Sequence, residues 1–155
     1  MKLENFADKQ PTLKIEEYFL GKTTASGLFI DRLGKVRRQF TVEMEGIQQG
    51  DIFILNETFL YDDGEEEFRR WDIKKTGEKT YEGTSEDIKG IALGERSGNA
   101  INWHYTLKLK YGDGIMNVKF DDWLIMQDDK NVFNKATMKK FGIRLGDVYL
   151  FFTKQ

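Results

Sequence analysis

The chain has 155 residues, which at about 100–200 residues per domain makes one domain with room for a substantial core. Lys plus Arg is 24 against 26 for Asp plus Glu, a net charge of −2, and this lacks the basic excess of a nucleic-acid-binding protein. The absence of cysteine and the single histidine, His104, exclude disulfides, thiol nucleophiles, thiolate zinc sites and most triad chemistry.

At the start, Met1-Lys-Leu-Glu-Asn-Phe6 has neither the apolar stretch nor the cleavage site of a secretory signal, and no run in the chain approaches the roughly 18 apolar residues of a spanning helix. Residues 1–12 are expected to form an N-terminal tether or tail, and residues 13–155 a single β-barrel domain. Leu13, Ile15, Tyr18 and Phe19 predict a short helical or irregular lid before the first strand.

Beyond the lid, Gly-containing turns punctuate stretches of period-2 alternation. Asp62-Asp63-Gly64, Ser97-Gly98-Asn99 and Gly112-Asp113-Gly114 carry the turn chemistry of tight hairpins. Ten strands are predicted, at 24–32, 35–47, 51–61, 66–76, 79–85, 88–96, 100–110, 115–127, 130–138 and 145–153. No connection is long enough for a parallel crossover, so the fold class is all-β and the sheet antiparallel. Successive hairpins make an up-and-down meander, and closure into a lipocalin-like barrel of about ten strands removes its edges.

The alternation assigns faces. Strand two presents Val36, Arg38, Phe40, Val42 and Met44 on its apolar side, and strand seven Ile101, Trp103, Tyr105, Leu107 and Leu109. Strand eight presents Met116, Val118, Phe120, Asp122, Leu124 and Met126, and strand four Arg69, Trp71 and Ile73; strand three is ambiguous, with Phe53, Leu55, Glu57, Phe59 and Tyr61 its more aromatic face. Four charges therefore intrude on apolar faces: Arg38, Glu57, Arg69 and Asp122. Charges turned inward must pair. Two readings stand: a salt-bridge network that fixes strand register, or a polar patch inside an apolar cavity that orients a ligand head group. Trp71, Trp103 and Trp123 fit a barrel core or a cavity lining, and His104 falls on a polar face. Asp121 and Asp122 are neighbours on a strand, point to opposite faces and make no acid–base dyad. The acidic run 62–67 fails the spacing of a calcium loop, and neither a metal site nor a cofactor motif is present.

Several motifs carry a family resemblance. They include Asp31-Arg-Leu-Gly-Lys-Val-Arg-Arg-Gln-Phe-Thr-Val42, Leu55-Asn-Glu-Thr-Phe-Leu-Tyr-Asp-Asp-Gly64 and Arg69-Arg-Trp71. Trp103-His-Tyr-Thr-Leu107, Phe120-Asp-Asp-Trp123, Asn134-Lys-Ala136 and Lys140-Phe-Gly-Ile-Arg-Leu-Gly146 follow in order. Together, from about Tyr18 to Phe152, the chain resembles the DUF3833 family of bacterial proteins of unknown function. The resemblance implies a lipoprotein of the cell envelope on its periplasmic face, anchored through a lipid on a cysteine that this chain lacks; without that implication a cytoplasmic setting is expected. It carries no activity to transfer.

The expected function is a non-catalytic barrel binding a small apolar or amphipathic ligand, such as a fatty acid or lipid. Arg38, Glu57, Arg69, Trp71, Trp103, Tyr105, Asp122 and Trp123 are the candidate ligand-binding residues. A structural or protein-interaction role with a filled core is the alternative, with Tyr149, Phe151 and Phe19 as candidates for an exposed aromatic patch. An isomerase or cyclase using Glu57 or Asp122 as acid or base is a third reading. No nucleic-acid partner, catalytic residue, metal or cofactor is expected.

Overall fold

The computed structural model describes residues 1–155. Ten antiparallel strands follow one another: β1 Gly21–Asp31, β2 Val36–Gln49, β3 Ile52–Tyr61, β4 Glu66–Lys75, β5 Thr80–Thr84, β6 Ile88–Ser97, β7 Ala100–Tyr111, β8 Gly114–Met126, β9 Asn131–Lys140 and β10 Ile143–Lys154. Each pairs with its neighbour in sequence, and β1 pairs with β10, so the barrel is closed. Closure gives every strand a partner on both sides, although β4 pairs with β5 only over Asp72–Lys75. β1 begins before its expected start, because Gly21 and Lys22 lie opposite Gly46 and Glu45 on β2 and Thr23 opposite Lys154 on β10, so the pairing outruns the hydrophobic alternation. Bulges at Phe29/Ile30 in β1 and Arg144/Gly146 in β10 take up irregularity where these strands approach the same end of the barrel.

That end is open. The other is plugged by a single helical turn, α1 Ile15–Tyr18, with Leu13 and Phe19 on either side of it. Leu13, Ile15, Tyr18 and Phe19 are all buried, in one cluster with Val42, Met44, Phe53, Ile73, Ile101 and Phe152. Burying apolar side chains of this size contributes roughly 1.5–3 kcal/mol each. Polar groups hold the plug to both sides of the barrel. The Tyr18 hydroxyl donates to the Lys130 carbonyl at 2.7 Å, and Tyr81 Oη donates to Glu16 Oε1 at 2.7 Å. On β2, a side chain at Gly46 would collide with the Phe19 carbonyl, so glycine lets the plug sit flush against that strand. Phe19, expected on the outside, is therefore interior: its ring packs edge-on against Phe152, 5.6 Å between centroids.

The stretch before the plug lies along the outer wall. A short 3-10 turn, Leu3–Phe6, contacts β6 and β7. The Phe6 ring stands 5.8 Å from Trp123, and Leu13 N donates to the Gly98 carbonyl at 3.0 Å. A Cβ at Gly98 would fall on the Phe6 carbonyl oxygen, so this turn glycine admits the segment.

Candidate ligand cavity

Between the plug and the open end the barrel encloses a cavity of about 390 Å³, lined mostly by hydrophobic side chains. Close-packed interiors keep few voids larger than a water molecule. Here the inward positions of β2, β3, β4, β7, β8 and β9 leave room between them.

The polar groups in this space come from cross-strand register. Glu57 on β3 lies directly opposite Arg69 on β4, and Leu55 opposite Trp71. Side chains paired in this way share one face of the sheet, so the alternation that turns Glu57 inward turns Arg69 and Trp71 in as well. Trp71 Nε1 donates to Glu57 Oε1 at 3.1 Å, and the Arg69 guanidinium reaches the same oxygen at 3.9 Å. Arg69 makes its shorter contacts to Asp87, in the turn before β6, with Nε and Nη2 each 2.9 Å from Oδ2. Across the barrel, Trp103 on β7 faces Asp122 on β8. The Tyr105 hydroxyl donates to Asp122 Oδ2 at 2.9 Å, and Asn134 Nδ2 on β9 donates to the other carboxylate oxygen of Asp122 and to the Trp123 carbonyl at 2.8 Å.

Burial governs the electrostatics. It pushes the Glu57 carboxyl up to about 7, although Arg69 and the Trp71 hydrogen bond pull it down. Burial likewise raises Asp122 to about 6 against the hydrogen bonds of Asn134 and Tyr105. It raises Tyr105 well above the usual phenol range, with Asp122 adding to the effect. Burial works against the Arg69 charge, but Glu57 and Asp87 outweigh it and keep the guanidinium firmly protonated. The arrangement thus holds one fixed cation between two carboxyls that change charge near neutrality. No three acidic or histidine side chains converge as a metal cage.

The sequence candidates divide accordingly. Glu57, Arg69, Trp71, Trp103, Tyr105 and Asp122 all line the cavity. Arg38 lines its mouth, apart from the other three charges: the guanidinium stacks 3.5 Å from the Tyr61 ring centroid and pairs with Asp63 and Glu65, both at 3.2 Å. Trp123 is a correction. It is buried, but it alternates with Asp122 and so points outward, where Phe6 covers it. His104 is on the outer face, 3.7 Å from Asp121.

Two participants were missed. Asn134 was legible, because β9 reads Val132, Asn134, Ala136, Met138 on its buried face and an Asn there breaks the apolar pattern. Asp87 carried no such signal; it sits in a polar turn, and it meets Arg69 where the β4–β5 register, Asp72 opposite Thr84 and Ile73 opposite Gly83, runs on past the end of β5. Of the expected aromatic patch, Phe151 is exposed and Tyr149 half-buried, in a shallow outer groove with Leu28, Leu60 and Phe133.

A closed ten-stranded antiparallel barrel around an apolar cavity with a few convergent polar groups is a lipocalin-like barrel. Within that class, the chain belongs to the DUF3833 family, described as a protein of unknown function, whose model matches residues 1–154. None of the curated proteins matches the sequence. Among solved structures, the chain is similar to an S-type phycobiliprotein lyase, CPES, from Guillardia theta, with a TM-score of 0.67, 8% identity and coverage of 100% of this chain and 98% of that one. It is also similar to Rv2717c from M. tuberculosis, with a TM-score of 0.62, 13% identity and coverage of 96% and 99%. At these identities the likeness is one of fold.

Proposed function

We propose that this protein binds a small, largely apolar or amphipathic ligand of the fatty acid or lipid kind inside its barrel, without catalysis. The ligand's apolar part packs among Phe40, Phe59, Leu150 and Phe152, and its polar end meets Glu57, Arg69 and Asp122. The observation that carries this reading is the unfilled volume of about 390 Å³, within the range of small-molecule sites and set around a polar cluster rather than dry throughout. The family resemblance supports a setting in the bacterial envelope.

The head group is open to test through pH. Glu57 and Asp122 ionise between about pH 6 and 7. A ligand bearing a carboxylate binds more tightly below that window, where the two carboxyls are neutral and Arg69 faces it. A ligand whose polar end offers hydroxyl or N–H donors binds more tightly above it.

Mass spectrometry of an organic extract of the folded protein, beside a denatured control, is the direct test. A stoichiometric amphipathic molecule, displaced by an environment-sensitive apolar dye and weakened in Arg69→Met, supports the reading. An empty extract together with no dye uptake overturns it. One feature favours the structural alternative: the buried charges are already paired with one another, as a network that fixes register would be.

A further inference from the structure

The open end of the barrel is electrically and chemically divided. Five turns ring it: β1–β2, β3–β4, β5–β6, β7–β8 and β9–β10. The strand order sets the β7–β8, β9–β10 and β1–β2 turns side by side, with the β3–β4 and β5–β6 turns completing the circle. The β3–β4 turn and the start of β4 are acidic, with Asp62, Asp63, Glu65, Glu66 and Glu67 and no base among them. The β5–β6 turn, with Glu86 and Asp87, continues the acidic side, and the remaining three turns, in which Asp31 is paired with Arg37 and Asp113 is the one further acid, are basic overall. Arg32, Lys35, Lys110 and Lys139 are exposed there and none has a carboxylate within salt-bridge distance.

The same basic arc carries large apolar side chains pointing into solvent. Phe141 is 90% exposed, Leu33 82%, Tyr111 70%, and Ile115 and Ile143 also project. They stand on three separate turn tips and not on a flat wall. Phe141 moreover has φ +53, a left-handed conformation that a bulky residue adopts at a cost, with the Lys140 ammonium 4.8 Å from its ring. Apolar tips among unpaired cations match the physics of an interfacial anchor: side chains enter the headgroup boundary while Lys and Arg meet anionic lipid.

We infer that the basic arc of the barrel mouth, Leu33, Tyr111, Ile115, Phe141 and Ile143 with Arg32, Lys35, Lys110 and Lys139, is a docking surface for anionic membrane. The acidic arc at Asp62–Glu67 is repelled by the same surface and orients the rim. Docked in this way, the mouth stands at the level of the lipid headgroups. This surface is read without any ligand in the cavity, so it stands or falls separately from the binding proposed above.

The test uses the full chain in sedimentation with vesicles of phosphatidylcholine alone and of phosphatidylcholine with phosphatidylglycerol. Binding is expected on the anionic vesicles and not on the neutral ones, and it should weaken as salt is raised. Each cation lost from such a surface costs roughly fivefold in partitioning, so Lys110→Glu with Lys139→Glu is expected to lower binding more than tenfold. Phe141→Gly removes the tip while suiting the left-handed backbone, and is expected to weaken binding several-fold with an unchanged melting temperature. Glu66→Lys, on the acidic arc, should bind at least as well as the parent. Equal partitioning onto both vesicle types overturns the inference, as does parental binding by the Lys110→Glu, Lys139→Glu variant. Retention by an acidic protein with no affinity for anionic vesicles overturns it too, in favour of a protein partner.

Discussion

Arg38 and Arg69 are the same residue on inward positions of two strands, each with two carboxylates in reach, yet they do different work. Arg69 keeps 18% of its side-chain surface and Glu57 13%, so water does little to weaken their attraction or to replace it. Arg38 keeps 32%, while Asp63 and Glu65 keep 60% and 54%, and its pairs form and exchange in solvent. Exposed pairs contribute about 0–1 kcal/mol, whereas breaking a buried one strands a charge at several times that cost. Depth along the barrel, not residue type, separates a structural and binding centre from a rim contact.

The sharpest way to break this contrast is Arg69→Ala, which leaves Glu57 and Asp122 without their cation. A loss of roughly 3–5 kcal/mol is expected from urea unfolding, smaller at pH 5 than at pH 8, because the stranded carboxyls are neutral at the lower pH. A loss no larger than that of Arg38→Ala would end the distinction.

Glu57→Gln sharpens it through pH. The native carboxyl titrates at about 7, above its unfolded value, so the folded state holds its proton longer and this group's contribution is lost as pH rises from about 4.5 to 7. The fall attributable to Glu57 is on the order of 3 kcal/mol, and Asp122 adds one of the same sign that ends near pH 6. Denaturation across that window should show a markedly shallower slope in the Gln variant.

Asn134→Ala removes donors from a buried carboxylate and a buried carbonyl and is expected to cost about 1–3 kcal/mol. Calorimetry should show it destabilised, with the Asp122 step moved to higher pH. Arg38→Ala closes the series at under about 1 kcal/mol, an effect that salt further reduces.

The inward turn of both arginines was visible in the sequence, and what separates them was not. Period-2 alternation turned Glu57, Arg69 and Asp122 inward on three strands, but only the register of the folded hairpin sets Glu57 against Arg69. Trp123, expected among the ligand-binding residues, follows the same alternation to the outer face, where Phe6 covers it. What alternation does not encode is depth. Arg38 and Glu57 share the inward parity of adjacent strands, but one stands at the mouth and the other at mid-barrel.

Local chemistry, then, was enough for the strands, the turns, the antiparallel meander and the inward faces of β2, β4, β7 and β8, because each of these depends on residues two to four apart. Closure of β1 on β10, the Phe6 cover over Trp123 and the volume left unfilled depend on residues far apart in the chain. Their meeting follows from how ten twisted strands wrap into a barrel, and from how far each side chain then reaches across it.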